Sequence, residues 1–283
     1  MTYNKHLEVL QNFVTNQLKI QFIIPVSSDI VIHFLTHLHV QGRQHPTLLN
    51  YLSAISFIHK AHKLPDPTSC YIVTKFMIGV KNLSPPSKQL KPITRDVLFK
   101  LIQNVHFTVS KPFEQALLQA LFCTMYHACL RIGEVAQSTH NNNILHLKQF
   151  TFPPSNDSVV ITFAKYKHSK GKTPSLTIVK QNNIICAVSA IQRYIQLRGR
   201  QPGPLFLMED HTLVTRLWVA KQLKVALALI GMDHNMYNTH SFRIGRCTQM
   251  VLDKFPDTYI QEVGRWSSLA YRKYVRPSTL CLS

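Results

Sequence analysis

"NTHSFRIGRCTQM", residues 238–250, sets His240 three positions before Arg243 at the head of a stretch with helical apolar spacing. On a helix that spacing puts both side chains on one face, a turn apart. Such a pair can bind a phosphate, or it can simply begin an amphipathic surface helix. A chain holding 15 His and this many Arg shows His-x-x-Arg about once by chance. The stretch therefore decides the fold only through the motifs that accompany it.

Composition narrows the partners. The 283 residues can bury one large core or two ordinary ones. A net charge of +19, from 32 Lys+Arg against 13 Asp+Glu, favours a polyanionic partner through phosphate neutralisation and counterion release. Nucleic acid is the simplest such partner. A membrane surface is disfavoured, because no apolar run of about 18 residues, signal peptide or lipidation motif occurs. Cys70, Cys123, Cys129, Cys186, Cys247 and Cys281 fall at irregular spacings without a Cys-x-x-Cys pair, so they read as thiols in a reducing compartment. His33 and His37 share a helix face, but no Glu lies between them and no third ligand is evident; they read as packing histidines. No cofactor or metal is expected.

The first 83 residues read as helices. "NKHLEVLQNFVTNQL" carries an apolar stripe, "SSDIVIHFLTHLHVQG" opens on cap residues and stops at Gly42, and "HPTLLNYLSAISFIHKAHK" enters at Pro46. A fourth helix is expected in "PTSCYIVTKFMIGVKNL". The proline-bearing "SPPSKQLKP", residues 84–92, cannot continue a helix and is read as a linker. Residues 93–283 begin with helices at "TRDVLFKLIQNV" and "PFEQALLQALFCTMYHACL". A β interlude follows in "ILHLKQFTF", "VVITFAKY" and "SLTIVK", and then further helices. The expectation is a mainly α chain: a small helical domain, a linker, and an α+β domain with a three-stranded antiparallel sheet.

Further basic and aromatic features accompany the opening motif. "CLRIGEVAQ" supplies Arg131 with Glu134 one turn on, which alone is an ordinary i, i+3 ion pair. "KYKHSKGKT" supplies Lys165, Lys167, Lys170 and Lys172 on a hairpin loop. "EVGRWSSLAYRKYVRP" supplies Arg265, Trp266, Tyr271 and Tyr274, alone a basic amphipathic helix with aromatics in the core.

In this order the set resembles the tyrosine recombinase (phage integrase) family, whose signature is an Arg in an R-x-G-E box, a hairpin Lys, H-x-x-R, a His or Trp, and a Tyr nucleophile. "HSFRIG", "GRWSS" and "YVR" look like the eukaryotic mobile-element branch, the DIRS-type retrotransposon and Crypton recombinases. "TLLNYLSAISFIHKAHKLPDPT" is similar to the branch's helical, SAM-like core-binding domain, so the resemblance spans nearly the whole chain. It implies residues 1–83 as a DNA-binding core-binding domain and residues 93–283 as the integrase-type catalytic domain.

The resemblance also implies roles. Arg131 and Arg243 would clamp a phosphodiester's non-bridging oxygens in the planar, bidentate way that Lys cannot. Tyr274 would attack phosphorus and His240 handle its proton. Lys167, with Lys170 as the alternative, would protonate the leaving 5′ oxygen. At the His/Trp position Arg265 fits by counting from Gly264, whereas Trp266 fits by residue type and is preferred. Tyr274 lies nine residues after Arg265 and eight after Trp266, the family spacing; Tyr271 reads as a packing residue. Arg246 stands where a small residue is expected, and so would crowd the helix or contact DNA.

The expected activity is metal-independent DNA cleavage and joining through a 3′-phosphotyrosine, by a homo-oligomer assembling as a tetramer on duplex DNA. The chain would act in the nucleus of a eukaryote or otherwise in the cytoplasm, without a membrane or small-molecule substrate. Two alternatives share these residues: a type IB topoisomerase-like relaxase, and a domesticated, catalytically silent DNA-binding protein. A basic RNA-binding protein is the bland remainder.

Overall fold

The computed structural model describes residues 2–85, 89–137, 143–163 and 174–276. The chain divides into two compact units, Met1–Ser87 and Lys88–Ser283, each with its own apolar cluster.

The first unit contains α1 (Thr2–Asn16), α2 (Ser28–Val40), α3 (His45–Ala61) and α4 (Tyr71–Leu83). Ser27 Oγ accepts the Ile30 N–H at the start of α2. Gly42, at φ +81°, ends it with bonds from Gly42 N to His39 O and Arg43 N to Leu38 O, a close that a left-handed residue makes possible. Leu10, Phe13 and Val14 of α1, Phe34, Leu35 and Leu38 of α2, and Leu48 and Ile55 of α3 form the core. His59 is buried there. Its Nε2 accepts the Val26 N–H, so Nδ1 carries the proton and donates to Ile55 O. The helix expected across "PTSCYIVTKFMIGVKNL" is broken: Asp66 caps a separate 3-10 turn, Pro67–Ser69, before α4. Burial opposes ionisation of Asp66. Hydrogen bonds from Ser56 and Thr68 and the Lys60 ammonium at 3.1 Å nonetheless hold its carboxyl well below the usual range. His33 is exposed, and the His37 ring lies on Phe13 and meets the Gln41 side chain.

The second unit begins with α5 (Arg95–Gln103), capped by Thr94, and the short α6 (Val105–Thr108). The helix expected over "TRDVLFKLIQNV" ends at Asn104, whose side chain donates back to Lys100 O, and Val105 opens α6. Then come α7 (Pro112–His127) and α8 (Ile132–Val135). From Ala116 to His127, α7 is buried almost all round, and it packs against α5, α6 and α8.

Strands β1 (Phe150–Thr151), β2 (Ser158–Thr162) and β3 (Ser175–Val179) form an antiparallel sheet in that order. Val159 pairs with Ile178 and Ile161 with Leu176, and this alternation turns all four into the core. The strand read from "ILHLKQFTF" is shorter than expected. Leu147–Gln149 forms a 3-10 turn, because Gln149 Oε1 accepts the His146 N–H and Leu147 N donates to Gly203 O. Helices α9 (Ala187–Arg198), α10 (Arg216–Leu229), α11 (Ser241–Leu252) and α12 (Asp257–Gly264) complete the unit, with α9 and α11 packed on α7. The chain is mainly helical with a small three-stranded antiparallel sheet, as expected. No helix among the described residues is long and apolar enough to cross a membrane.

Candidate active site

The end of α7 places Arg131. Leu130 N bonds Met125 O and Cys129 N bonds Tyr126 O, and Cys129 takes the left-handed conformation at φ +47°. A non-glycine residue there costs about 1 kcal/mol. The turn ends the buried helix and brings Arg131 to the surface as N-cap of α8. The Arg131 N–H donates to Glu134 Oε2 at 2.6 Å. The expected side-chain ion pair between these residues is replaced. Glu134 instead meets Arg265 at 2.9 Å, since the N-cap geometry turns the Glu134 carboxylate toward the backbone and the interior.

α11 brings the next pair. Asn238 Oδ1 accepts the His240 N–H and Ser241 Oγ accepts that of Asn238, so His240 caps a helix whose first residues are buried. Gly245 permits close packing: a Cβ there would overlap the Ile93 carbonyl. Arg243 is fully buried. Its Nη1 donates to Cys129 O and its Nη2 to Gly264 O at 2.5 Å. A guanidinium has five N–H groups, so two bonds leave donors over. The Arg243 Nε–H is buried without an acceptor among the described residues. Burial pulls the Arg243 pKa down from its usual value, and the charges of Arg131 and Arg265 add to the effect. Burial likewise lowers the His240 pKa, with Arg243 and Arg131 acting in the same direction. His240 is therefore largely neutral at pH 7.

The turn after α12 separates Arg265 from Trp266. Arg265 ends α12 in the left-handed conformation, φ +56°. Its guanidinium points inward to Ala128 O, Cys129 O and both Glu134 oxygens and lies on the Phe163 ring. Trp266 turns the other way, with its ring 4.1 Å from the Arg243 guanidinium carbon. Such a cation–π contact contributes about 0.5–2 kcal/mol. Gly264 is needed here, because a Cβ would overlap the indole.

The last turn, Leu269–Tyr274, presents both tyrosines. Tyr271 is buried, and its hydroxyl donates to Asp257 at 2.6 Å. That carboxylate raises the Tyr271 pKa and holds the phenol proton in place. Tyr274 has other neighbours: its ring lies 5.0 Å from His240, 5.2 Å from Trp266 and 5.6 Å from the Arg243 guanidinium carbon.

Of the residues singled out in the sequence, His240, Arg243, Trp266 and Tyr274 form one cluster, and the Arg131 charge reaches His240 and Arg243. Lys167, like Lys165, Lys170 and Lys172, lies outside the described residues. Arg246 lies over the Tyr126 ring, its guanidinium carbon 5.9 Å from the centroid. The hub formed by Glu134, Arg265 and the Cys129 carbonyl was not foreseen. Glu134 and Arg265 were both visible in their motifs, but nothing in their spacing signals a contact across 131 positions.

No family model and no curated relative matches the chain. Solved structures do. The XerH site-specific recombinase bound to difH substrate is similar at a TM-score of 0.66 and 16% identity, over 97% of this chain and 75% of that one. The Tn1549 transposon integrase in complex with transposon right end DNA gives 0.67 and 13%, over 96% and 87%. A lambda integrase dimer bound to a COC′ core site gives 0.61 and 9%, over 98% and 71%. At these identities the likeness is one of fold, and the fold of this chain is the integrase type.

Proposed function

We propose that this chain is a tyrosine recombinase, which breaks and rejoins duplex DNA through a covalent 3′-phosphotyrosine formed by Tyr274. The observation that carries the reading is the convergence of Tyr274, His240, Trp266 and Arg243 within one unit whose fold is that of DNA-bound site-specific recombinases.

The chemistry follows from these groups. The Tyr274 oxygen attacks phosphorus; the P–O(Tyr) bond forms as the bond to the 5′ oxygen breaks. A phenol is mostly protonated at neutral pH, and His240, kept neutral by burial and two arginines, is suited to accept its proton. The departing 5′ oxygen takes a proton from a general acid, assigned by the family resemblance to Lys167. Arg131 and the unused donors of Arg243 stabilise the charge of the five-coordinate transition state. Trp266 covers the Arg243 guanidinium and shields it from bulk water, which strengthens that charge's effect on a bound phosphate. Because the phosphotyrosine bond retains the energy of the cleaved one, the reverse attack by a 5′-OH reseals the strand.

The first unit is read as the core-binding domain and the tetramer on two DNA sites as the working assembly. Both rest on the family resemblance. Origin in a eukaryotic mobile element rests on "HSFRIG", "GRWSS" and "YVR" alone. The test uses supercoiled plasmid and nicked suicide duplexes with a randomised core. Wild type should form a covalent protein–DNA adduct with a free 5′-OH, and Tyr274→Phe should form none. DNA binding without any adduct in wild type overturns the enzyme reading in favour of a binding protein.

A further inference from the structure

Thr248 is fully buried in α11, one turn beyond Ile244. Its hydroxyl donates to Ile244 O at 2.8 Å, a back-bond common for Thr within helices. That bond alone is unremarkable. The same oxygen, however, accepts the Arg276 N–H at 3.0 Å and lies 3.4 Å from Tyr274 O. A hydroxyl has one proton and two lone pairs, so it serves the Ile244 carbonyl, with Tyr274 O as the alternative acceptor, while holding the Arg276 amide. The preceding residue, Cys247, points its Sγ at Tyr271 O, 3.6 Å away. Consecutive residues of α11 thus hold the chain on both sides of Tyr274, at Tyr271 and at Arg276.

This helix is also the one that begins at His240 and carries Arg243. We propose that Thr248 is the positioning residue for the nucleophile: it fixes the Tyr274 backbone to the rigid element that bears His240 and Arg243, so that one chain presents nucleophile and phosphate-binding groups in register. The proposal rests on the recombinase reading. Thr248 touches no substrate and acts only through the placement of Tyr274. Displacing a reacting group by about 1 Å can cost on the order of 100-fold in rate while binding is unaffected.

The experiment compares wild type, Thr248→Val and Thr248→Ser in the full chain. Val keeps the β-branched shape and removes the oxygen; Ser keeps the oxygen. Single-turnover adduct formation is measured on the same suicide duplexes, together with duplex affinity, thermal midpoint and hydrogen exchange of the peptide spanning 269–276. In Thr248→Val, adduct formation should fall on the order of 10- to 100-fold at unchanged DNA affinity, with faster exchange at the Arg276 amide; Thr248→Ser should restore both. Unchanged exchange in Thr248→Val overturns the tether. Faster exchange with wild-type adduct formation overturns the positioning role. Equal damage in Ser and Val shows that the methyl packing matters and not the hydroxyl, which also overturns it. If wild type itself forms no adduct, the recombinase reading fails and takes the positioning role with it. The exchange data then still judge the tether.

Discussion

The segment from Arg265 to Tyr274 contains two halves that the fold treats oppositely. Arg265 and Tyr271 each end on a carboxylate, Glu134 and Asp257. Trp266 and Tyr274 end instead on Arg243 and His240. In a chain with 13 carboxylates and 32 Lys+Arg, the placement of an acid is informative. A carboxylate fixes a cation or phenol and cancels its field; where none is present, positive charge accumulates. Burial is the first cause that lowers the His240 pKa, and the charges of Arg243 and Arg131 add to it. On the proposed reading, the carboxylate-paired residues build the site and the carboxylate-free ones meet the phosphate.

The largest expected effect separates the two tyrosines. Tyr274→Phe removes one oxygen and keeps the ring, so adduct formation should vanish while duplex affinity persists; Tyr271→Phe should retain most activity and lose only the Asp257 bond, with little change in stability. The opposite assignment of activity would reverse the comparison.

Next comes the pair that builds the site. Arg265→Met leaves Glu134 partly buried without its cation and releases the Ala128 and Cys129 carbonyls. Breaking such a pair costs about 3–5 kcal/mol, which for a unit of this size lowers the thermal midpoint by about 10 °C. A midpoint within a degree or two of wild type in calorimetry would show Arg265 to be free for substrate. Arg243→Lys should contrast with it. The charge remains but the planar fork that holds the Cys129 and Gly264 carbonyls is lost, so cleavage should fall by orders of magnitude in single-turnover assays while duplex affinity changes little.

The smallest effect concerns pH. The folded pKa of His240 lies below its ordinary 6.5, so the unfolded chain binds the proton more readily. The associated stability is complete above the unfolded value and is lost as pH falls through the folded one. Adduct formation should follow the same limb, level near neutrality and declining with acid. Arg131→Gln removes one of the two charges and should move the His240 ring titration, followed by NMR, upward. A titration that does not move would place Arg131 too far from the site to share a phosphate with Arg243.

The sequence made most of this architecture legible, since helix caps and apolar periods are local signals. Thr94, Ser27 and Gly42 act at the ends where their chemistry places them. The ordered motifs also located His240, Arg243, Trp266 and Tyr274, which meet in space. What was not legible is long-range. Glu134 takes the Arg131 backbone N–H and the Arg265 guanidinium, in place of the Arg131 side chain, because Arg131 occupies an N-cap, a backbone state that residue spacing does not encode. The left-handed Cys129, whose carbonyl both arginines share, carries no glycine to announce it. Thr248 looked like any helical threonine until Arg276 folded back onto it.

The central claim is that Tyr274, and no other residue, becomes joined to DNA. The most direct test is to trap wild type on nicked suicide duplexes, digest the adduct and map the modified peptide by mass spectrometry. The account predicts a nucleotide on Tyr274, in the peptide that follows Lys273 and so separate from the one carrying Tyr271, and a free 5′-OH on the released strand. Modification of Tyr271, or intact duplex recovered from a protein that binds it tightly, would contradict it.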